Sequence, residues 1–217
     1  MAWVTEADGV NDYMSSATLG DLTASKIRVV SEHVTWDTTT AVGYLWSQAA
    51  PSSGLREFGL YARPGSGDLN IWAGGSDSTL ASAMVISDET VDLTIDYVAN
   101  TAILIIGGVT EFSGSVSAGT SRASGTLLRF FAREGGYYAS SGTQIGNTKV
   151  YINNVLTRDY DFDGSSHTAG TVTVDETINS SDSTGVNMPT DGSAWVNLGS
   201  SVVTVTTDFD IRYSMLN

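Results

Sequence analysis

Asp159, Asp161 and Asp163, followed by Gly164, set three carboxylates at alternate positions ahead of a glycine. A calcium loop opens this way, because a hard cation collects oxygen ligands from one short, sharply turning segment. The bidentate glutamate such a loop needs at its twelfth position is replaced by Gly170, so calcium at Asp159, Asp161 and Asp163 competes with a solvated strand end. The spacing also bears on glycoside hydrolysis. Residues i and i+2 on a strand lie roughly 7 Å apart, within the ~6.5–9.5 Å that separates the carboxyls of an inverting glycosidase. Hydrolysis further requires one carboxyl kept protonated by burial, and this triplet sits among polar residues beside a loop. Asp92 and Asp96 would lie roughly 13 Å apart on one strand face, too far for either glycosidase geometry.

Other reaction chemistry finds little to work with. His33 and His167 are the only histidines, there is no cysteine, and no G-x-S-x-G elbow occurs, which leaves neither a nucleophilic triad nor a zinc site. His33 is expected in a strand as a packed or half-exposed side chain, and His167 exposed in a polar loop. Gly107-Gly108 and Gly135-Gly136 lack the spacing and following lysine of a phosphate cradle. Catalysis needs a matched acid and base or a shielded nucleophile, so the chain is expected not to be an enzyme.

Binding needs less. Tyr137 and Tyr138 follow a double glycine and precede Ser140-Ser141-Gly142, a context too polar for ordinary core rings. An exposed ring offers its apolar face to the C–H side of a sugar, while amide, carboxylate and backbone groups take the hydroxyls. Trp46 and Trp72 lie in strand-like segments, where tryptophan is more often core, and Trp72 joins Tyr137 and Tyr138 as a candidate ligand contact.

The strands that would position these residues are legible from alternation and turn chemistry. Lys149 to Ile152 and Val155 to Arg158 are rich in β-branched, aromatic and aliphatic residues with only Asn153-Asn154 between them, which predicts a hairpin with a type I′ turn. Leu127 to Phe131 is an apolar run of strand length that must end at Gly135-Gly136. In Thr90 to Val98, Val91, Leu93, Ile95 and Tyr97 share one face while Asp92, Thr94 and Asp96 share the other, a strand with one wet side. Ala102 to Ile106 is apolar on both faces and is expected deep in a sheet. Lys26 to Trp36 is expected to be central, with Val30, Val34 and Trp36 on one face and Ile27, Val29 and His33 on the other. Trp3 to Val4, Tyr44 to Trp46, Phe58 to Ala62, Leu69 to Trp72 and Val202 to Tyr213 read as further strands. Asp8 to Tyr13 reads as a turn whose tyrosine returns to the core, and Gly164 to Thr168 and Ser180 to Gly185 as mobile polar segments.

Composition sets the class. With 217 residues, 23 glycines and 3 prolines, the chain suits many short strands joined by turns, and a sandwich of this length is commonly one domain. The expected division is a single domain over 1–217, with a core over 1–163 and a strand-containing extension over 164–217. Ten basic residues against 24 acidic ones give a net charge of −14, a field that disfavours nucleic acid and anionic membrane surfaces as partners. No apolar run is long enough to cross a bilayer. The opening MAWVTEADGVNDYM shows no positive region followed by an apolar one, so the chain is expected to be made in a cytoplasm without a secretory signal.

Several of these segments also resemble a known family. Ala7-Asp8-Gly9-Val10-Asn11-Asp12-Tyr13 resembles the D-G-x-D/N-D-Y opening of laminin-G-like, concanavalin A-like domains; Leu104 to Gly108 and Thr148 to Arg158 resemble later strands of those domains. Val174 to Thr177 and Asn187 to Trp195 resemble segments that follow such domains in tailed-bacteriophage structural proteins. The resemblance implies an all-β antiparallel sandwich, a concanavalin A-like jelly roll, used for glycan or protein adhesion and sometimes with calcium. The E-x-D-x-x-E signature of glucanases with this architecture is missing, since Glu6-x-Asp8-x-x-Asn11 lacks its last carboxylate.

Two functional classes follow. The first is a non-enzymatic virion fibre, spike or decoration subunit, made in the host cytoplasm, homo-oligomeric, bound to other virion proteins and to a cell-surface glycan. The alternative is a bacterial glycan-active protein, either a carbohydrate-binding module or an atypical glycanase. Both require the same fold, for which circular dichroism is expected to show under about a tenth helix, against the usual third.

Overall fold

Among the described residues the chain forms strands, turns and bends only. The computed structural model describes residues 2–198 apart from 21, 23, 24, 41, 42, 50–55, 120–124, 134, 135 and 171, with the backbone alone at 56, 57, 136 and 137. The strand expected over Val202 to Tyr213 lies outside the described residues.

In chain order the strands are β1 (Trp3–Ala7), β2 (Tyr13–Ser16), β3 (Lys26–Asp37), β4 (Gly43–Ala49), β5 (Arg56–Ala62), β6 (Leu69–Ala73), β7 (Ser76–Ala81), β8 (Val85–Asp96), β9 (Thr101–Ile106) and β10 (Val109–Ser115). They continue as β11 (Leu128–Phe130), β12 (Ala132–Arg133), β13 (Gly136–Tyr138), β14 (Thr143–Ile145), β15 (Thr148–Ile152), β16 (Val155–Asp161), β17 (Thr173–Glu176), β18 (Ser183–Val186) and β19 (Trp195–Asn197). One layer runs β10-β9-β8-β3-β15-β16. The other runs β7-β6-β5-β4-β11-β2-β18. Along one edge β17 pairs with β16 through Tyr160↔Glu176 and with β18 through Thr173↔Thr184, joining the layers. The result is the all-β antiparallel sandwich that strand alternation predicts, of the jelly-roll type that the family resemblance implies. Between the layers Trp46 of β4 donates from Nε1 to Ser31 Oγ of β3 at 3.1 Å, and the Tyr160 hydroxyl of β16 donates to Ser16 Oγ of β2 at 2.8 Å. Trp36, Phe58, Leu60, Leu104 and Phe130 fill the space around them.

The predicted hairpin is present. Asn153 and Asn154 have φ of 52° and 65°, as a type I′ turn demands and asparagine tolerates, and β15 pairs with β16 on either side. The one-sided pattern of β8 also holds, with Val91, Leu93, Ile95 and Tyr97 buried. On its wet side Asp92 pairs with Arg28 at 2.6 Å.

Three expectations change. In β3 the core face is Ile27, Val29, Ser31, Val34 and Trp36, so Ile27 and Val29 share a face with Val34 and Trp36 rather than opposing them. The cause is a bulge. His33 takes φ 54°, the register against β8 shifts between Ser31 and Val34, and a shift of one residue exchanges the faces. Asp88 opposite has φ 55° and accepts a hydrogen bond from His33 Nδ1 at 2.7 Å, so the irregularity is matched on both strands. β3 is nonetheless central, between β8 and β15. β9 is likewise paired on both sides, but only Ala102, Leu104 and Ile106 are buried, while Ile103 stands exposed on the outer face. The segments expected to be mobile are built into the fold: Ser183 opens β18, and Ser165 Oγ donates to the Asp161 carbonyl oxygen and accepts from Asp175 N–H.

The turn before β2 holds a buried charge. Asp12 is 1% exposed; its Oδ2 accepts the Asp8 N–H at 3.0 Å, while Oδ1 has no partner among the described residues. Burial, offset in part by that N–H and reinforced by the Asp8 charge, raises the Asp12 carboxyl above its ordinary 3.8. The folded state therefore holds this proton more tightly than the unfolded state, and stability falls as pH rises from 3.8 through the raised value.

Two measurements check this packing. Leu104→Ala is expected to cost ~2–5 kcal/mol in denaturant unfolding; an unchanged midpoint would show that β9 does not anchor the core. Asp12→Asn is expected to stabilise the chain near neutral pH and to lose that advantage below 3.8. A gain independent of pH would contradict the buried-charge account.

Candidate functional site

The layer β7 to β18 has two unlike faces. Its inner face sends Phe58, Leu60, Ile71, Trp46, Phe130 and Met14 into the core. Strand alternation turns Tyr61 and Trp72 to the outside, and a register slip in β4 turns Tyr44 there as well, so three rings from adjacent strands meet. Tyr44 of β4 stacks on Tyr61 of β5 with centroids 5.0 Å apart and planes 20° apart. Tyr61 stacks on Trp72 of β6 at 5.7 Å and 14°. Gly59 makes this arrangement fit, because it pairs with Trp72 and Ser47 and a Cβ there would sit 3.2 Å from Tyr44 Cε1. With no side chain in the way, Trp72 Nε1 donates to the Tyr44 hydroxyl oxygen at 2.6 Å.

Polar groups frame the rings. Asp77 lies across from Trp72 on β7, within 3.5 Å of the Arg63 guanidinium, and near enough to the Tyr61 hydroxyl to oppose its ionisation. Burial first, and Asp77 second, push the Tyr61 hydroxyl far above its ordinary value, so it stays a neutral donor. Beside them Asn70 Oδ1 accepts from the Thr79 hydroxyl at 2.7 Å. Tyr44 and Tyr61 are buried and Trp72 is half-buried, so Trp72 is the accessible ring of the stack.

A second ring group lies farther along the same face. Arg129 of β11 places its guanidinium carbon 4.8 Å from the Tyr13 ring centroid, and Tyr13 stacks on Tyr138 at 6.2 Å. Tyr138 arrives on a hairpin that packs against β4, where Ser47 Oγ donates to the Ala132 carbonyl oxygen at 2.8 Å. Phe131, buried with φ 66°, turns the chain out of β11, and β12 then pairs with β13. Arg133 of this hairpin lies 6.0 Å from the Tyr44 ring centroid. Gly43 permits this close packing, since a Cβ there would run into the Tyr138 carbonyl oxygen and Ala139 Cα.

Of the residues singled out by sequence, Trp72 and Tyr138 both stand half-buried on this outer face, in two separate ring groups. Tyr137 has its backbone in β13, and its side chain lies outside the described residues. Tyr13 does not return to the core; Met14 does, and Tyr13 remains outside as the partner of Tyr138 and Arg129. Trp46 is fully buried. Tyr44, Tyr61, Arg129 and Arg133 were not singled out, although Phe58, Leu60 and Ala62 alternating with Gly59 and Tyr61 already marked Tyr61 as outward.

The aspartate triplet is engaged by the chain itself. Asp161 Oδ1 accepts Gly164 N–H at 2.8 Å. Asp163 accepts Trp3 N–H at 2.7 Å and the Asn147 side-chain amide at 3.1 Å. The Asp159 carboxyl is raised above its ordinary value by burial, against the pull of Lys149. Among the described residues no three acidic or histidine side chains converge as metal ligands. His167, expected exposed, is half-buried: it stacks on Trp3 at 4.1 Å and meets Trp195 edge-on at 4.7 Å. Its Nε2 donates to the Phe162 carbonyl oxygen at 2.6 Å, so Nε2 is a protonated nitrogen.

No protein-family model and no curated protein matches this sequence. Solved structures share its fold. A candidate carbohydrate-binding protein from Bacteroides ovatus matches 87% of this chain and 61% of its own, with a TM-score of 0.57 and 13% identity. The full extracellular region of zebrafish Gpr126/Adgrg6 matches over 84% of this chain and 26% of its own, with a TM-score of 0.52 and 14% identity. The chain thus spans under two thirds of each of these proteins, and the likeness is one of fold.

Proposed function

We propose that this chain is a non-catalytic carbohydrate-binding module that takes a glycan on the outer face of the layer β7 to β18, with Trp72 as its leading contact and Tyr138 marking a second contact. The observation that carries this reading is the Trp72–Tyr61–Tyr44 stack on the outside of the sheet. Rings held there by stacking and by the Trp72 to Tyr44 hydrogen bond are pre-organised, so little freedom is lost when a sugar ring packs on the exposed part of Trp72. Thr79, held from behind by the buried Asn70, and the Arg63–Asp77 pair supply the donors and acceptors that a sugar's hydroxyls need. The fold shared with the Bacteroides ovatus protein supports the same reading.

Among the two functional classes raised by the sequence, these observations favour the binding-module alternative. The virion placement rests on the sequence resemblance alone. It is compatible with the module, because many copies on one particle would convert weak single-site binding into firm attachment.

Trp72→Ala is expected to weaken binding to whichever glycan the parent retains on a polysaccharide panel by about tenfold or more, ~1.4 kcal/mol. Trp72→Phe, which keeps a ring, should recover part of that loss. Binding equal to the parent in Trp72→Ala would contradict the site, and release of reducing ends by the parent would contradict the non-catalytic role. Gly43→Ala is expected to displace the hairpin bearing Tyr138 and Arg133 and to lower glycan retention. Full retention with that substitution would remove the hairpin from the site.

A further inference from the structure

The chain as a whole repels anions, with 24 acidic residues against 10 basic ones. Among the described residues, the outer face of the layer β7 to β18 departs from that balance. Arg63, Arg129 and Arg133 all lie along its row of rings. Among the described residues Asp77 is the acidic side chain shown against those rings, and Arg63 already pairs with it at 3.5 Å. The positive charge of Arg129 is uncompensated among the described residues: no carboxylate pairs with it, and its Nε is buried with no hydrogen-bond partner. From this we infer that the ligand of this face is an anionic sugar, whose carboxylate or sulfate ester is received by Arg129 beside the Tyr13 and Tyr138 rings. The inference rests on the reading of this face as a glycan site.

The geometry suits that task. With its guanidinium carbon 4.8 Å from the Tyr13 ring centroid, Arg129 is held against an apolar surface by cation–π attraction. Held this way, the planar guanidinium can offer its N–H edge as a fork to two oxygens of one anion. The sugar ring bearing that anion would meet Tyr138, stacked on Tyr13 at 6.2 Å. From β2 to β6 the row crosses four strand-to-strand steps, ~19 Å, the reach of a short oligosaccharide whose other end covers Trp72. The surrounding negative field makes the arrangement selective, because an anion finds compensation only where the arginines stand.

The test compares backbones that differ only in charge: polygalacturonate against its methyl ester, and dextran sulfate against dextran, each by affinity electrophoresis of the whole chain. At least one anionic member is expected to bind about tenfold or more tightly than its neutral twin, with the preference shrinking as salt rises. Arg129→Gln should abolish the preference, Arg129→Lys should restore part of it, and thermal midpoints should show both variants folded. The salt titration of the parent needs no variant, so a misfolded Arg129→Gln would leave the inference exposed to refutation. Equal binding of charged and neutral twins, or a preference that survives Arg129→Gln, overturns the anionic ligand. Neutral glycans retained through Trp72 would then leave the glycan site standing. Anionic binding lost in Arg129→Gln but indifferent to Trp72→Ala would support the anion site and overturn the Trp72 platform. No retention of any member would overturn both.

Discussion

Between Tyr44 and Trp46 the register of β4 against β5 slips by one residue, and that slip decides which rings this protein hides and which it displays. In a regular strand the two residues would share a face. The bulge separates them, so Trp46 opposes Leu60 and enters the core while Tyr44 opposes Tyr61 on the outside. Inside, Trp46 ties the layers together through Ser31. Outside, Tyr44 accepts the hydrogen bond that fixes Trp72. One backbone irregularity thus serves the core and the candidate site together, and Gly59 and Gly43 complete the device by letting a ring and a hairpin approach the sheet closely.

The same physics explains what the sequence disclosed. Where a strand is regular, its pattern could be read directly: β8 buries the four residues its alternation marks, and the Asn153-Asn154 turn adopts the positive φ values that asparagine permits. Where a bulge intervenes, alternation counted along the chain assigns the wrong face. His33 did this to β3, placing Val29 opposite Trp36 when both point inward. Leu45 conceals the outward direction of Tyr44 in the same way. Nothing local in the sequence marks either bulge, because each is fixed by pairing with a distant strand.

The site was legible in part for a related reason. Trp72 and Tyr138 could be suspected individually from their surroundings, but their partners come from other strands. Tyr61 is brought to Trp72 by β5–β6 pairing, and Tyr13 to Tyr138 by a hairpin packed against β4. The aspartate triplet shows the converse. A spacing suggestive of a cation loop also suits carboxylates that bind their own chain: Asp161 caps its strand end at Gly164 N–H, and Asp163 accepts the N–H of Trp3 from distant β1.

The central claim is that a glycan lies on the Trp72 side of the sandwich, outside the sheet whose inner face holds Trp46. The indole Nε1–H resonances of these two tryptophans report it directly in a two-dimensional nitrogen–proton spectrum recorded while a retained oligosaccharide is titrated in. The account predicts that the Trp72 signal shifts progressively to saturation while that of Trp46, buried and bonded to Ser31, stays in place. A Trp72 signal that stays in place while the oligosaccharide binds would contradict it.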